Sequence, residues 1–85
     1  MSFELVWQRI QAHQGELFRQ VRGGQFTYQV VSGCVVPDRT NRMLPRSDFR
    51  KAHERWPLRG PGEIQDLQGP SYVYAILADP RIAAP

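Results

Sequence analysis

Between Arg39 and Arg59 the chain places Arg39, Arg42, Arg46, Arg50, Lys51, Arg55 and Arg59, seven of its eleven basic side chains, against only Asp48 and Glu54. That segment is +5, and the remainder, with four arginines and six acids, is −2, so the formal net charge of +3 originates in about a quarter of the molecule. Clustered guanidinium groups attract phosphate and grip it through paired N–H donors. Thr40 and Asn41, set between Arg39 and Arg42, add the hydroxyl and amide that can reach sugars or base edges. Arg22, next to the pair Gly23 and Gly24, is placed to touch an adjacent phosphate from a hairpin tip, as a wing would. The candidate set is therefore Arg22, Arg39, Thr40, Asn41, Arg42, Arg46, Arg50, Lys51 and Arg55, and its chemistry is recognition of a phosphate backbone.

Other chemistries lack a comparable set. His13, Cys34 and His53 are the soft metal ligands, and none stands in a C-x-x-C or H-x-x-x-H spacing. His53 falls on the apolar side of its segment, the place of a half-buried histidine bonded to the backbone. Cys34 follows a turn and opens an apolar stretch, which suits a small core hydrophobe better than an exposed thiolate nucleophile. Pro37 and Asp38 could begin a metal-dependent nuclease motif, but Phe49 occupies the position where an acid must precede Lys51. Gly23, Gly24, Gly60 and Gly62 lack the strand-to-helix setting and fixed lysine of a phosphate-binding loop, so they read as turn glycines. Glu63 and Asp66 lie one helical turn apart, as on a solvated face. The expectation is a non-catalytic chain with no metal and no cofactor.

The elements that must position the basic residues follow from periodicity. Phe3, Val6, Trp7 and Ile10 recur at helical spacing behind Ser2, a suitable N-cap, and predict a helix over about 3–13 stopped near Gly15. The period then changes. A two-residue turn at Gly23 and Gly24 sets Val21 against Phe26 and Leu17 against Val30, leaving Arg19 as the misfit on an otherwise apolar face. A second turn at Ser32 and Gly33 folds Cys34, Val35 and Val36 back as a third strand ended by Pro37, with Arg42 to Leu44 as a short fourth. Ser47 then caps a helix over about 48–56 in which Phe49, Ala52, His53 and Trp56 share a face. Arg50, Lys51, Glu54 and Arg55 point to solvent, where Arg50–Glu54 and Asp48–Lys51 can pair locally. After the turn-rich run from Pro57, Glu63 to Leu67 has the makings of one helical turn. Pro70 opens a final helix through Ala78, stopped by Asp79 and Pro80, although Tyr72 to Leu77 has the propensity of a strand. Its body, YVYAIL, has few polar groups with which to read bases and belongs to the core, although Gly69 before it gives the pair of helices a helix-turn-helix look.

Eighty-five residues, 41% hydrophobic and 22% charged, describe one small globular domain over residues 1–85 that buries about 60–65% of its unfolded surface. Only Arg81 to Pro85 reads as frayed. Cys34 has no partner for an internal disulfide, the N-terminus carries Glu4 where a secretory leader would be basic, and Tyr72 to Ala78 is too short to cross a bilayer. These features lead to the expectation of a cytoplasmic protein with no membrane partner. The strings FTYQV, DRTNR, PRSDF and GPSYVYAILADPRI, spread over Phe26 to Ile82, resemble those of a small, largely uncharacterised family of bacterial proteins. The resemblance spans about two thirds of the chain and implies a bacterial, intracellular origin.

The expected fold is α+β: a helix, a three-stranded antiparallel meander, then two helices packed on one sheet face, with a winged helix as the alternative. The expected role is nucleic-acid binding, to duplex DNA in the first instance, through the basic loop and helix. The alternative is a small protein-interaction module or subunit of a bacterial complex, since Trp7, Trp56, Tyr72 and Tyr74 are many large rings for so short a chain.

Overall fold

Ser2 accepts a hydrogen bond from the Leu5 amide at 3.3 Å and opens α1 (Phe3–Ala12), which buries Val6, Trp7 and Ile10. The computed structural model, which describes residues 1–84, continues with β1 (Phe18–Arg19), β2 (Gln25–Phe26), β3 (Tyr28–Val31), β4 (Cys34–Pro37) and β5 (Leu44–Pro45). It then forms α2 (Arg46–Glu54), a 3-10 turn over Pro61–Ile64, α3 (Pro70–Ala78) and α4 (Pro80–Ala83). The architecture is α+β: an N-terminal helix, a three-stranded antiparallel sheet, then helices.

The three-stranded sheet has the order β3-β4-β5, and β1 and β2 form a separate two-stranded ladder. The third strand of the sheet is thus Leu44–Pro45, close to the segment expected as a short fourth. The Ser32–Gly33 turn is where the sequence puts it. Both residues have positive φ, 51° and 75°, and Val31 pairs with Cys34 across them, the geometry a two-residue hairpin requires. Tyr28, Val35, Pro37 and Leu44 are buried on one sheet face. Tyr28 donates its hydroxyl to the Ile10 carbonyl at 2.6 Å, tying the sheet to α1, and burial pushes the phenol pKa up. On the far side of β3 from β4, the Tyr28 carbonyl accepts from the Gly15 amide at 2.8 Å and the Val30 amide donates to Gln14 Oε1 at 2.9 Å.

The first hairpin differs from expectation. Its register is Phe18↔Phe26 and Arg19↔Gln25, so the connection is the five-residue loop 20–24 and only Gly23 of the glycine pair has positive φ, 92°. Phe18 is buried while Leu17 and Val21 are 54% and 65% exposed. The physical reason is the larger apolar area of the phenyl ring. Phe18 packs 6.0 Å from Phe26 and 5.2 Å from Tyr28 between ring centroids, and the Arg81 guanidinium covers it at 3.7 Å. Arg19, the misfit of the expected face, points outward.

Two further boundaries move. Helix α2 begins at Arg46, because β5 runs straight into it with Pro45 as an uncapping extended residue, and Ser47 makes no cap. The C-terminal segment is not frayed over its described part; α4 buries Ile82 completely, and Pro85 lies outside the described residues. Asp79 caps α4 by accepting from the Arg81 amide at 2.9 Å. The Arg81 side chain bonds Asp79, Glu16 and the Leu17 carbonyl, and the Arg9 guanidinium donates to the Ile82 and Ala84 carbonyls.

These contacts bear on how the fold responds to acid. Hydrogen bonds from His13 and Arg81 hold the Glu16 carboxyl below its usual range, Arg81 does the same for Asp79, and Arg55 for Asp66. A carboxylate with a depressed folded pKa contributes stability that is present above its unfolded pKa and is lost as pH falls through the folded value. Thermal unfolding is therefore expected at constant Tm from about pH 7 to 5 and at falling Tm below about pH 4. A Tm that stays level down to about pH 3 would show that these pairs contribute nothing to the folded state.

Candidate nucleic-acid interface

The basic segment begins in the loop between β4 and β5. Asp38 is a structural cap: its Oδ1 accepts from the Thr27 amide at 3.0 Å while its own amide donates to the Thr27 carbonyl at 2.9 Å. This anchors the loop where β2 passes into β3. Arg39 follows and donates Nη1 to the Gln25 carbonyl at 3.2 Å, and Thr40 Oγ1 accepts from the Arg42 amide at 3.2 Å. Gln25 is the residue immediately after the 20–24 loop, so the segment bearing Arg39 and Arg42 stands beside the one bearing Arg22. Arg22, Arg39, Asn41 and Arg42 are exposed and Thr40 is half-buried.

On α2 the basic residues turn elsewhere. Arg46 forms an ion pair with Glu4 of α1, and its guanidinium lies 5.1 Å from the Phe3 ring centroid and 5.7 Å from that of Trp7. Arg50 approaches the same carboxylate at 3.8 Å and lies 5.4 Å from the Phe3 ring. Arg55 makes a bidentate pair with Asp66, both bonds 2.8 Å. The bonded carboxylate holds the Arg55 pKa up. Lys51 is exposed without an ion-pair partner among the described residues, yet it too acts on Asp66, helping to hold that carboxyl down. The local pairs expected from sequence do not form. Arg50 reaches Glu4 instead of Glu54, and Asp48, 8% exposed, accepts from the Gln68 amide at 2.9 Å instead of meeting Lys51. The nine candidate residues therefore divide: Arg22, Arg39, Thr40, Asn41 and Arg42 lie on the two loops joined by the Arg39–Gln25 bond, Arg46, Arg50 and Arg55 already face carboxylates, and Lys51 stands exposed on α2.

Comparison of the chain with protein-family models, curated proteins and solved structures finds no match.

Arg19 joins the first group, being the cross-strand partner of Gln25 and exposed. In the register expected from sequence Arg19 is a misfit on an apolar face; the observed register releases it to solvent. Among the described residues, Arg19, Arg22, Arg39 and Arg42 have no carboxylate partner. The loop that carries Arg22 borders an open groove of about 560 Å³ lined by Gln20, Val21, Arg22, Gln65, Pro70 and Ser71. The large rings, by contrast, are largely matched to one another. Trp7 packs on Phe49 at 6.0 Å, Tyr72 meets Phe26 edge-on at 4.9 Å and Tyr74 stacks on Trp56 at 5.5 Å. Helix α3 buries Val73, Ala75, Ile76 and Leu77, the core role its sequence suggested. Among the described residues no His, Cys, Asp and Glu group is arranged to hold a metal ion, and no helix is long and apolar enough to cross a membrane.

Proposed function

We propose that this protein binds the phosphate backbone of a nucleic acid, without catalysis, through the Arg39–Arg42 loop and the neighbouring loop that carries Arg22. The observation that carries the reading is the Arg39 bond to the Gln25 carbonyl, which puts three exposed guanidinium groups on adjacent loops. Asp38, the nearest acid in the chain, accepts from the Thr27 amide and forms no ion pair with those cations among the described residues. A bacterial cytoplasmic setting, implied by the resemblance of the FTYQV, DRTNR, PRSDF and GPSYVYAILADPRI strings, goes with this reading.

Three or four phosphate contacts imply that log affinity falls with log salt at a slope of about −2 to −3. Fluorescence anisotropy with a labelled oligonucleotide at several salt concentrations should give that slope, flattened by about one unit in Arg39→Ala or Arg42→Ala. Arg55→Ala removes the same formal charge from a guanidinium already held by Asp66 and should change affinity by less than about twofold. Equal effects from all three substitutions would reduce the attraction to diffuse charge. No binding at about 50 mM salt would end the proposal in favour of a protein partner. Arg9 and Arg81, although outside the basic segment, do not serve as controls, since both tie α4 to the fold.

A further inference from the structure

The groove beside Arg22 has a lining suited to more than a phosphate. Gln20 and Gln65 offer amides and Ser71 a hydroxyl, groups that both donate to and accept from the edge of a nucleobase. Gln20 is fixed in place, its Nε2 donating to Ser71 Oγ at 2.9 Å. The remaining walls are apolar. Val21 is 65% exposed, an unusual place for a valine, and Pro61 and Pro70 present ring surfaces to the same space. Gly62 keeps one side clear, since a Cβ built on it would meet nothing within 4 Å. The volume, about 560 Å³, is that of a site for a small planar group with its sugar. Neither helix in reach is free to enter the major groove of a duplex: α3 is buried, and Arg46, Arg50 and Arg55 of α2 are committed to Glu4 and Asp66.

We infer that this groove holds one unstacked base of a single-stranded polynucleotide, with Arg22 on the adjoining phosphate and Arg39 and Arg42 on the next ones. The inference rests on the nucleic-acid reading above and specifies its substrate: a single strand, DNA or RNA, whose bases are splayed from the backbone. Polar groups for the edge beside apolar surface for the face are what a base out of its stack requires and what a base inside a duplex cannot reach.

The test uses the full chain and four labelled probes of one length: single-stranded DNA, single-stranded RNA, the DNA duplex, and a DNA strand whose central nucleotides are abasic. The abasic strand keeps every phosphate and removes the bases. Expected are binding of one or both single strands about tenfold tighter than the duplex, and loss of that advantage with the abasic strand. The DNA and RNA arms then identify which sugar the site accepts. Two variants address the groove. Gln65→Ala removes one amide. Gly24→Ala brings a Cβ to 2.6 Å from Gln20 Oε1 and displaces the other amide without altering charge. Each should weaken single-strand binding about fivefold and leave duplex binding unchanged, with thermal melts confirming that the variants fold. An abasic strand bound as tightly as the intact one, or groove variants without effect on single strands, overturns the base site. In that event an Arg39→Ala defect that persists would leave the backbone reading standing, whereas no binding of any probe would remove both.

Discussion

Replacement of Phe18 by alanine is expected to lower the unfolding free energy by about 3–5 kcal/mol, the range for removal of a fully buried phenyl ring, while Leu17→Ala changes it by less than about 0.5. The contrast follows from the register of the first ladder. Phe18 opposite Phe26 points inward and is 1% exposed, whereas Leu17 is 54% exposed. The register expected from a Gly23–Gly24 turn predicts the reverse order, because it seats Leu17 opposite Val30. Urea unfolding of the two variants decides between them: comparable losses, or a larger loss for Leu17→Ala, would mean that the hairpin pairs through the tighter turn. The Phe18 cavity also removes the surface on which the Arg81 guanidinium rests, so the loss should lie toward the upper part of that range.

Gly69→Ala is the second large effect, about 2–4 kcal/mol. Gly69 precedes α3 with φ of +54°, and its carbonyl accepts from the Tyr72 and Val73 amides, both at 3.0 Å. An alanine there meets the left-handed penalty of about 1 kcal/mol. Its Cβ would also lie 2.7 Å from Leu44 Cδ2 and 3.2 Å from Cδ1, with Leu44 fully buried, adding an overpacking cost of about 1–3 kcal/mol. Gly62→Ala is the matched control, having open space and no positive φ, and should fall within about 0.5 kcal/mol of the parent. Combining Gly69→Ala with Leu44→Ala separates the two causes. The pair should cost at least about 1 kcal/mol less than the sum of the single changes if Leu44 is the obstacle. Strict additivity would assign the whole effect to the backbone.

What could be read from the chain was whatever local chemistry dictates. The cap at Ser2, the apolar spacing of Val6, Trp7 and Ile10, the Ser32–Gly33 turn and the Pro70–Ala78 helix all appear in the structure close to where periodicity and turn residues put them. The first hairpin was not legible, because Leu17, Val21 and Phe18 offer two alternating patterns of opposite phase. Choosing between them depends on Arg81, which arrives from the far end of the chain to cover Phe18. The same is true of the basic segment. Its charge could be counted, but Glu4 on α1 and Asp66 beyond α2 decide which arginines remain uncompensated, and neither acid is a sequence neighbour of its partner. The amides of the groove carried no signal in sequence, as Gln20 and Gln65 come to line one space only once the 20–24 loop, the 3-10 turn and the start of α3 are packed together.

Gln14 and Gly15, at the end of α1, lend an amide oxygen and a main-chain N–H to the outer side of β3. An exposed strand ordinarily invites a stranger's strand to continue its ladder, and a short sheet with hydrophobic residues such as Val31 along its margin would be a ready template for such recruitment. Here two of the places an intruder would occupy are already taken by the molecule's own chain. The connection that turns α1 toward the first ladder thus also covers part of the edge at which a second strand would add.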